Sequence, residues 1–396
     1  MEKIEIYHQC GHNFKWNIES YEKDKVGSGL IISPVNMSKV NVDNLPAHIK
    51  ANSFFDPQFY EPRSSNNKLN VYEFFPNKVA NGYNSAEYEE FSNKSAELCV
   101  KYQVNQNYKY ITIPTLYYEE IPNNYLKCLR ELYIIPFIEQ IKKIGSRKPV
   151  LLSVIVKDIQ LNDKEYRDEL LNFLTGFQEI NGIYLIPYHR ESSKRIKDID
   201  YIYNLMVFID ILRQNGLIVH LGYTDIEGYL YSLADINSLS IGAYENVRRF
   251  GADRFRDKVL GKHPNPPTPR IYSSKLFQWI DYRYLGSLKS EYKNFEDLFD
   301  KNSYRVLMFK PEFNWHFTKP ELYKHYFISY SNQICSLPSN LEDRYNLIIK
   351  NLEIAKKYYN EIDKCNILLD DDSNGSHINY WITAINRFYK YKRQAV

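Results

Sequence analysis

The sequence predicts a parallel (β/α)8 TIM barrel at residues 1–250, followed by a mainly α-helical extension at 251–396. Three observations predict it. Eight short apolar runs, each closing in a polar cluster, are separated mostly by amphipathic segments of helical period. Two of those segments end in turn signals, Asn181-Gly182 and Asn215-Gly216, that lead straight into the next run. After Val247 the repeat stops. Eight βα units close such a barrel, and its chemistry sits where the strands run out into loops.

The expected strand regions are Ile4–Cys10, Leu30–Met37, Ser53–Tyr60, Tyr110–Tyr118, Val150–Asp158, Gly182–Arg190, Leu217–Asp225 and Leu239–Val247. The second and fifth are almost uninterrupted apolar runs, as suits strands buried on both faces. Between the third and fourth, Ser85 is placed to cap a helix whose first turn is rich in acids. The helix expected over 123–144 carries Pro136, which should kink it. Helices are also expected over 163–180 and 199–214. The polar stretch 61–84 is long enough to serve as a lid or binding loop. Beyond the barrel, 251–275 reads as a proline-stiffened connector. Helices are expected at 274–284, 295–301, 320–329, 339–361 and 377–392, with an acidic loop at Asp370-Asp371-Asp372.

A chain of 396 residues is long for a single core, which fits a barrel with an appended region. Its net charge of +3 hides an asymmetry. Residues 1–246 hold 26 Lys and Arg against 31 Asp and Glu, and residues 247–396 hold 25 against 17. Within 247–324 the excess is already +7, from 16 basic and 9 acidic side chains. A basic segment beside a near-neutral barrel suits a polyanionic partner, and an ordinary solvated surface would read the same way. The 36 tyrosines, many beside basic residues, could stack on bases while cations hold phosphates. An AT-rich coding sequence would also raise the tyrosine count.

Five scattered cysteines without a CxxC pair argue against a disulfide framework and against a cysteine-type zinc site. No signal peptide opens the chain and no apolar run is long enough for a bilayer, so a cytoplasmic protein without a membrane partner is expected. The motifs of the common nucleotide and metal sites are missing, so no cofactor and no metal is expected.

The strand ends carry the candidate chemistry. Asp56 follows Phe54-Phe55, a setting that desolvates a carboxylate and suits it to proton transfer or charge stabilisation. Its alternative role is to cap a turn before Pro57. Gln58 could present its amide to a heterocycle edge. His8, Asn36, Tyr60, Lys157, His189, Arg190, Tyr223, Asp225 and Glu245 stand at the other strand ends as pocket-lining residues. His220, mid-strand, reads as a histidine of the barrel interior. Arg248 and Arg249, beside the seventh and eighth strand ends where barrels hold phosphate, are candidate backbone contacts. Arg270, Lys275 and Arg283 extend that set into the basic segment.

The run Phe55-Asp56-Pro57-Gln58-Phe59-Tyr60 resembles a shortened Asp-Ser-Gly-Gly-Phe-Gln motif of the tRNA-guanine transglycosylases and their DNA-acting relatives. In that family the Asp and Gln address the nucleobase. The stretch ending Arg248-Arg249-Phe250-Gly251 is similar to the family's last strand end, with Arg249 on its second arginine and Ser240 where its nucleophilic Asp stands. The family's Cys-x-Cys-x-x-Cys zinc site has no counterpart. The resemblance therefore implies removal of a base without covalent base exchange. It points to a DNA glycosylase that hydrolyses the N-glycosidic bond of a modified nucleobase, as in the base-excising branch of anti-phage defence. The partner is then a nucleic acid, DNA before RNA. Two other readings stay open: a metal-dependent, amidohydrolase-like hydrolase using His8, His12 and His189, and a non-catalytic nucleic-acid-binding barrel.

Overall fold

In the computed structural model, which describes residues 1–81, 85–190, 194–257 and 266–394, all eight strands form and pair in parallel. They are β1 (Glu5–Gln9), β2 (Gly29–Ile32), β3 (Phe54–Phe55), β4 (Ile111–Ile113), β5 (Val150–Lys157), β6 (Gly182–Tyr188), β7 (Ile218–Leu221) and β8 (Ser238–Ile241). The order β3-β2-β1-β8-β7-β6-β5-β4 wraps into a nearly closed barrel. Across the remaining seam, Lys109 N–H donates to the Ser53 carbonyl at 2.8 Å and Tyr117 N–H to the Tyr60 carbonyl at 2.8 Å. The strands are shorter than the apolar runs, because each run continues past its ladder into the loop that carries the rim.

Aromatic rings fill the barrel interior in place of the branched aliphatics usual there. Phe54 lies 5.3 Å from Tyr7 and from Tyr184, and His220 lies 5.0 Å from Tyr110 and 5.5 Å from Phe54. His220 is thus a residue of the barrel interior, with Nδ1 hydrogen-bonded to the Ser238 hydroxyl. Around the strands, the helix Ile199–Gln214 begins at an Asp198 cap that accepts from Tyr201 N–H at 2.9 Å. It ends before Gly216, whose φ of +80° turns the chain into β7. The helix over 125–144 takes up Pro136 through a π-helical turn at Arg130–Ile134. The wider turn accommodates a ring that cannot donate and would crowd the carbonyl four residues back. The side chain of Ser85, and with it the expected cap, lies outside the described residues.

Three expectations are corrected. The stretch 61–84 is not an open lid across its described part: Leu69, Tyr72, Phe74 and Phe75 are buried, and Phe55 and Phe59 pack on them. The connector 251–275 is not extended throughout, since Ala252–Arg254 forms a 3-10 turn and strand β9 (Arg270–Ser273) begins inside it. The helix expected at 274–284 is a hairpin, β9 paired antiparallel with β10 (Gln278–Asp281). Ile271, Tyr272, Trp279 and Ile280 are β-formers that pack well in a ladder, and Phe277 at φ +49° closes the turn. The later helices form at Pro320–Cys335, Leu341–Lys364 and Ile378–Gln394.

Among the described residues the regular structure of the extension is helical apart from that hairpin, and its apolar core is continuous with the barrel's. Buried Arg344 donates to the Ser232 carbonyl at 2.7 Å, and the Trp381 indole donates to the Ile196 carbonyl at 2.8 Å. Ion pairs cross the same boundary: Lys324–Glu19 at 2.5 Å, Lys392–Asp210 at 2.6 Å and Arg387–Asp200. No helix among the described residues is long and apolar enough to cross a membrane.

Burial holds four of the histidines among the described residues neutral: His8 and His325 with pKa values down to about 4, His220 down to about 3, and His377 well below the usual imidazole value. Their folded values lie below the unfolded one, so their contribution is complete above about pH 6.5 and is lost as the pH falls towards 4. Denaturant unfolding from pH 7 to 4.5 should therefore show stability falling by about 1.4 kcal/mol per pH unit for each buried neutral histidine. His8→Asn should flatten that dependence.

Candidate functional site at the barrel mouth

Asp56 directly follows β3 on the inward side and is 1 % exposed. Local sequence explains its setting. Phe55 and Phe59 turn outward into the packing under the helices, while Asp56 and Tyr60 turn inward. The Tyr60 hydroxyl donates to both carboxylate oxygens at 2.8 Å, Gln58 N–H donates at 3.1 Å, and the Tyr223 hydroxyl lies 3.4 Å from Oδ2. Burial pushes the Asp56 pKa up to about 6, against the opposing pull of these donors and of the Arg254 guanidinium.

The neighbours of Asp56 are themselves constrained. Gln58 and Tyr223 both have positive φ, +59° and +48°, in the left-handed region that side chains seldom adopt. Their side chains meet at 3.4 Å beside the carboxylate. The Gln58 amide is fully engaged, accepting from Val35 N–H at 2.9 Å and donating to the Ser33 hydroxyl at 2.5 Å. Paired strain of this kind is characteristic of functional sites. At Gly222 a Cβ would come within 2.4 Å of the Tyr184 ring, so glycine is required for Tyr184 to stand in the barrel and reach Gln9 at 3.1 Å. Gln9 Nε2 and the inward-facing Ser153 Oγ are buried without a hydrogen-bond partner among the described residues. Each is positioned to bond a water or a polar group inside the barrel.

An aromatic roof closes the mouth above Asp56. Tyr60 packs against Phe250 at 5.1 Å and Phe255 at 4.8 Å, and Arg254 lies over the rings of Tyr223 and Phe255 at 4.6 Å each. Beside the roof, a small cavity is lined by His189, Tyr223, Asp225, Arg248, Arg249 and Phe250 among others. Asp225 is paired with Arg195 at 2.9 Å and with Arg248 at 3.3 Å. These guanidiniums hold its carboxyl far below the usual range even though burial alone would raise it. His189 faces Asp198 at 3.6 Å and the Tyr201 ring at 4.6 Å.

Of the expected site residues, Asp56, Gln58, Tyr60 and Tyr223 come together in one cluster, and His189, Asp225, Arg248 and Arg249 in the adjoining one. Lys157 and Arg190 line a separate cavity of about 580 Å³ beside β5. There the Lys157 ammonium donates to the Glu119 carbonyl at 2.7 Å and lies over the Tyr117 ring at 4.5 Å. Glu245 pairs with Lys194 at 2.6 Å. Asn36 bonds the Cys10 carbonyl at 3.2 Å and tethers the end of β1 to that of β2.

His8 does not line the pocket. It faces outward, with Nε2 2.9 Å from the Val26 carbonyl, Nδ1 3.3 Å from the Asn17 amide and its ring edge-on to Phe327. Both ring nitrogens are thereby occupied. Among the described residues no three His, Cys, Asp or Glu side chains are grouped to hold a metal ion. The set Arg270, Lys275 and Arg283 does not form one phosphate-binding surface. Arg270 bonds Asp372 at 3.2 Å, Arg283 bonds Asp281 at 2.8 Å, and Lys275 projects from the far end of the hairpin into another cavity. Sequence reasoning missed Gln9, Phe250, Arg254 and Phe255. Only the strand parity that places Gln9 inward beside Tyr7 could have revealed one of them. Comparison with protein-family models, with curated proteins and with solved structures finds no match.

A carboxylate whose folded pKa lies above its unfolded value destabilises the fold once it ionises. The penalty is absent below about pH 4, grows through about pH 6, and amounts to about 3 kcal/mol at neutral pH. Asp56→Asn should therefore raise the denaturation midpoint at pH 7.5, with a gain that shrinks towards zero near pH 4. A variant less stable at every pH would contradict this account of the site.

Proposed function

We propose that this protein is an N-glycosidic-bond hydrolase that removes a base from a nucleic acid, with DNA the first candidate, and that Asp56 is its essential carboxylate. The observation that carries the reading is the strained, fully buried Asp56–Gln58–Tyr60–Tyr223 cluster at the C-terminal end of the barrel strands. Cleaving an N-glycosidic bond builds positive charge on the sugar. An ionised carboxylate in a dry pocket stabilises that charge or activates the attacking water. The Tyr60 and Tyr223 hydroxyls hold the carboxylate in place, and Gln9 Nε2, which has no partner among the described residues, supplies a donor for the base.

A base must leave its stack to reach this depth, and the Phe250 and Phe255 rings must yield to it. Ser240 offers no strong nucleophile: it is fully buried, and its hydroxyl lies 3.4 Å from Thr224 N–H. Hydrolysis, rather than exchange through a sugar bound at Ser240, is therefore the outcome proposed.

Incubation with DNA carrying natural or modified bases, scored for free base and abasic sites, tests the reading. Asp56→Asn should lower turnover by about 10²–10⁴ or more while the protein stays folded. Because the ionised form acts, the rate should fall tenfold per pH unit below about pH 6 and level off above it. No covalent protein–nucleic acid adduct should survive denaturing gels. Full activity in Asp56→Asn would end the assignment.

A further inference from the structure

A cleft of about 960 Å³ separates the barrel rim from the extension. Trp16 lines it from the helix after β1 and Tyr244 from the loop after β8, Phe317 and Arg270 from the extension, and Lys194 and Arg248 from the rim. Its charges are balanced in pairs: Lys194–Glu245 at 2.6 Å, Arg270–Asp372 at 3.2 Å and Arg248–Asp225 at 3.3 Å. Net attraction for a polyanion is therefore weak here, whereas flat rings and directed N–H donors are plentiful. The Arg248 guanidinium lies 4.2 Å over the Trp279 ring, and the Trp279 indole N–H, buried in the cleft wall, has no acceptor among the described residues. Half-exposed Trp16, Tyr244 and Phe317 offer ring surface beside these donors.

We infer that this cleft binds a nucleoside phosphate, with its base stacked on the rings of Trp16, Tyr244 or Phe317 and its phosphate bonded by Lys194, whose ammonium keeps donors beyond the one that Glu245 takes. Rings beside paired cations fit an exposed base with one or two phosphates. They do not fit a duplex, whose bases are stacked away and whose binding depends on excess positive charge. Arg248 also lines the small cavity that Tyr223 and Phe250 share, and those two residues cover Asp56. A nucleotide in the cleft thus lies next to the site of proposed base removal. The inference deepens that function and rests on it only for the fate of a neighbouring base.

The test is fluorescence anisotropy with the full chain and a labelled single-stranded DNA 10-mer, its RNA counterpart and the corresponding duplex, with unlabelled dAMP and AMP as competitors. The single strands should bind at least ~10-fold more tightly than the duplex. Their salt dependence should be shallow, corresponding to about one or two phosphates at roughly 0.7 per contact. Phe317→Ala and Trp16→Ala should each weaken binding ~10-fold, the effect of losing one base–aromatic stack, and Trp16→Phe should restore most of it. Competition by a mononucleotide as strong as by the 10-mer assigns the cleft to free nucleotides, whereas affinity growing with length assigns it to an unpaired strand. Tight, steeply salt-dependent duplex binding, or affinity indifferent to both alanine variants, overturns the inference. Stacking-dependent binding without base release from any substrate would sink the proposed hydrolase and leave the cleft assignment standing. Base release with ring-insensitive binding would do the reverse.

Discussion

The desolvation of one carboxylate organises the barrel mouth. Asp56 cannot be buried at this depth without donors, and the chain supplies them from three positions: Tyr60, the Gln58 backbone and Tyr223. Placing two of those groups requires left-handed backbone at Gln58 and Tyr223. Placing Tyr184 below them requires a glycine at 222. The aromatic filling of the barrel then becomes intelligible, since rings exclude water from the carboxylate while their hydroxyls approach it. Such an arrangement is costly to stability, and a fold selected for stability alone would replace the acid with a neutral side chain.

The second constraint is electrostatic and joins the two halves of the chain. The acidic excess of residues 1–246 and the basic excess of 247–396 read in the sequence either as a polyanion-binding surface or as an ordinary solvated one. In the fold much of that charge meets its opposite within the molecule. Arg248 pairs with Asp225, Arg256 with Glu61 and Glu119, Lys324 with Glu19, and Lys392 with Asp210. The extension is thus seated on the barrel by complementary charge as well as by a shared apolar core. A charge count along a sequence cannot distinguish a surface that awaits a partner from one that has already found it inside the same chain.

The barrel was legible because parallel strands buried on both faces leave unmistakable apolar runs, and because helix, turn and strand recur in fixed order. Asp56 was legible because two aromatics before a strand-end acid dictate burial whatever the fold. What escaped followed from finer geometry. His8 drew attention as a titratable side chain at a strand end, but inward and outward alternate along a strand. Tyr7 and Gln9 take the inside, leaving His8 to the helical layer. The hairpin at 270–281 was hidden by its polar turn, since short segments mixing Ile, Tyr and Trp with polar residues fit either period. The roof residues Phe250, Arg254 and Phe255 follow the last strand, where the repeat stops and periodicity carries no information.

That final segment links the two constraints. Between the end of β8 at Ile241 and Arg254 the chain places Arg248 against Asp225 and the Trp279 ring, Phe250 on Tyr60, and Arg254 over Tyr223. It then lays Phe255 on Tyr60 and ties Arg256 to Glu61 and Glu119. The same short stretch therefore closes the barrel over its carboxylate, forms a wall of the cleft, and leads into the extension. Displacing the roof means moving residues that are anchored at both ends by ion pairs, and its freedom is set by Arg248 and Arg256. The extension is in this sense part of the barrel's mouth. The last strand hands the chain to it through the segment that covers Asp56, so a change at Arg248 reaches the cleft and the roof of the buried acid together.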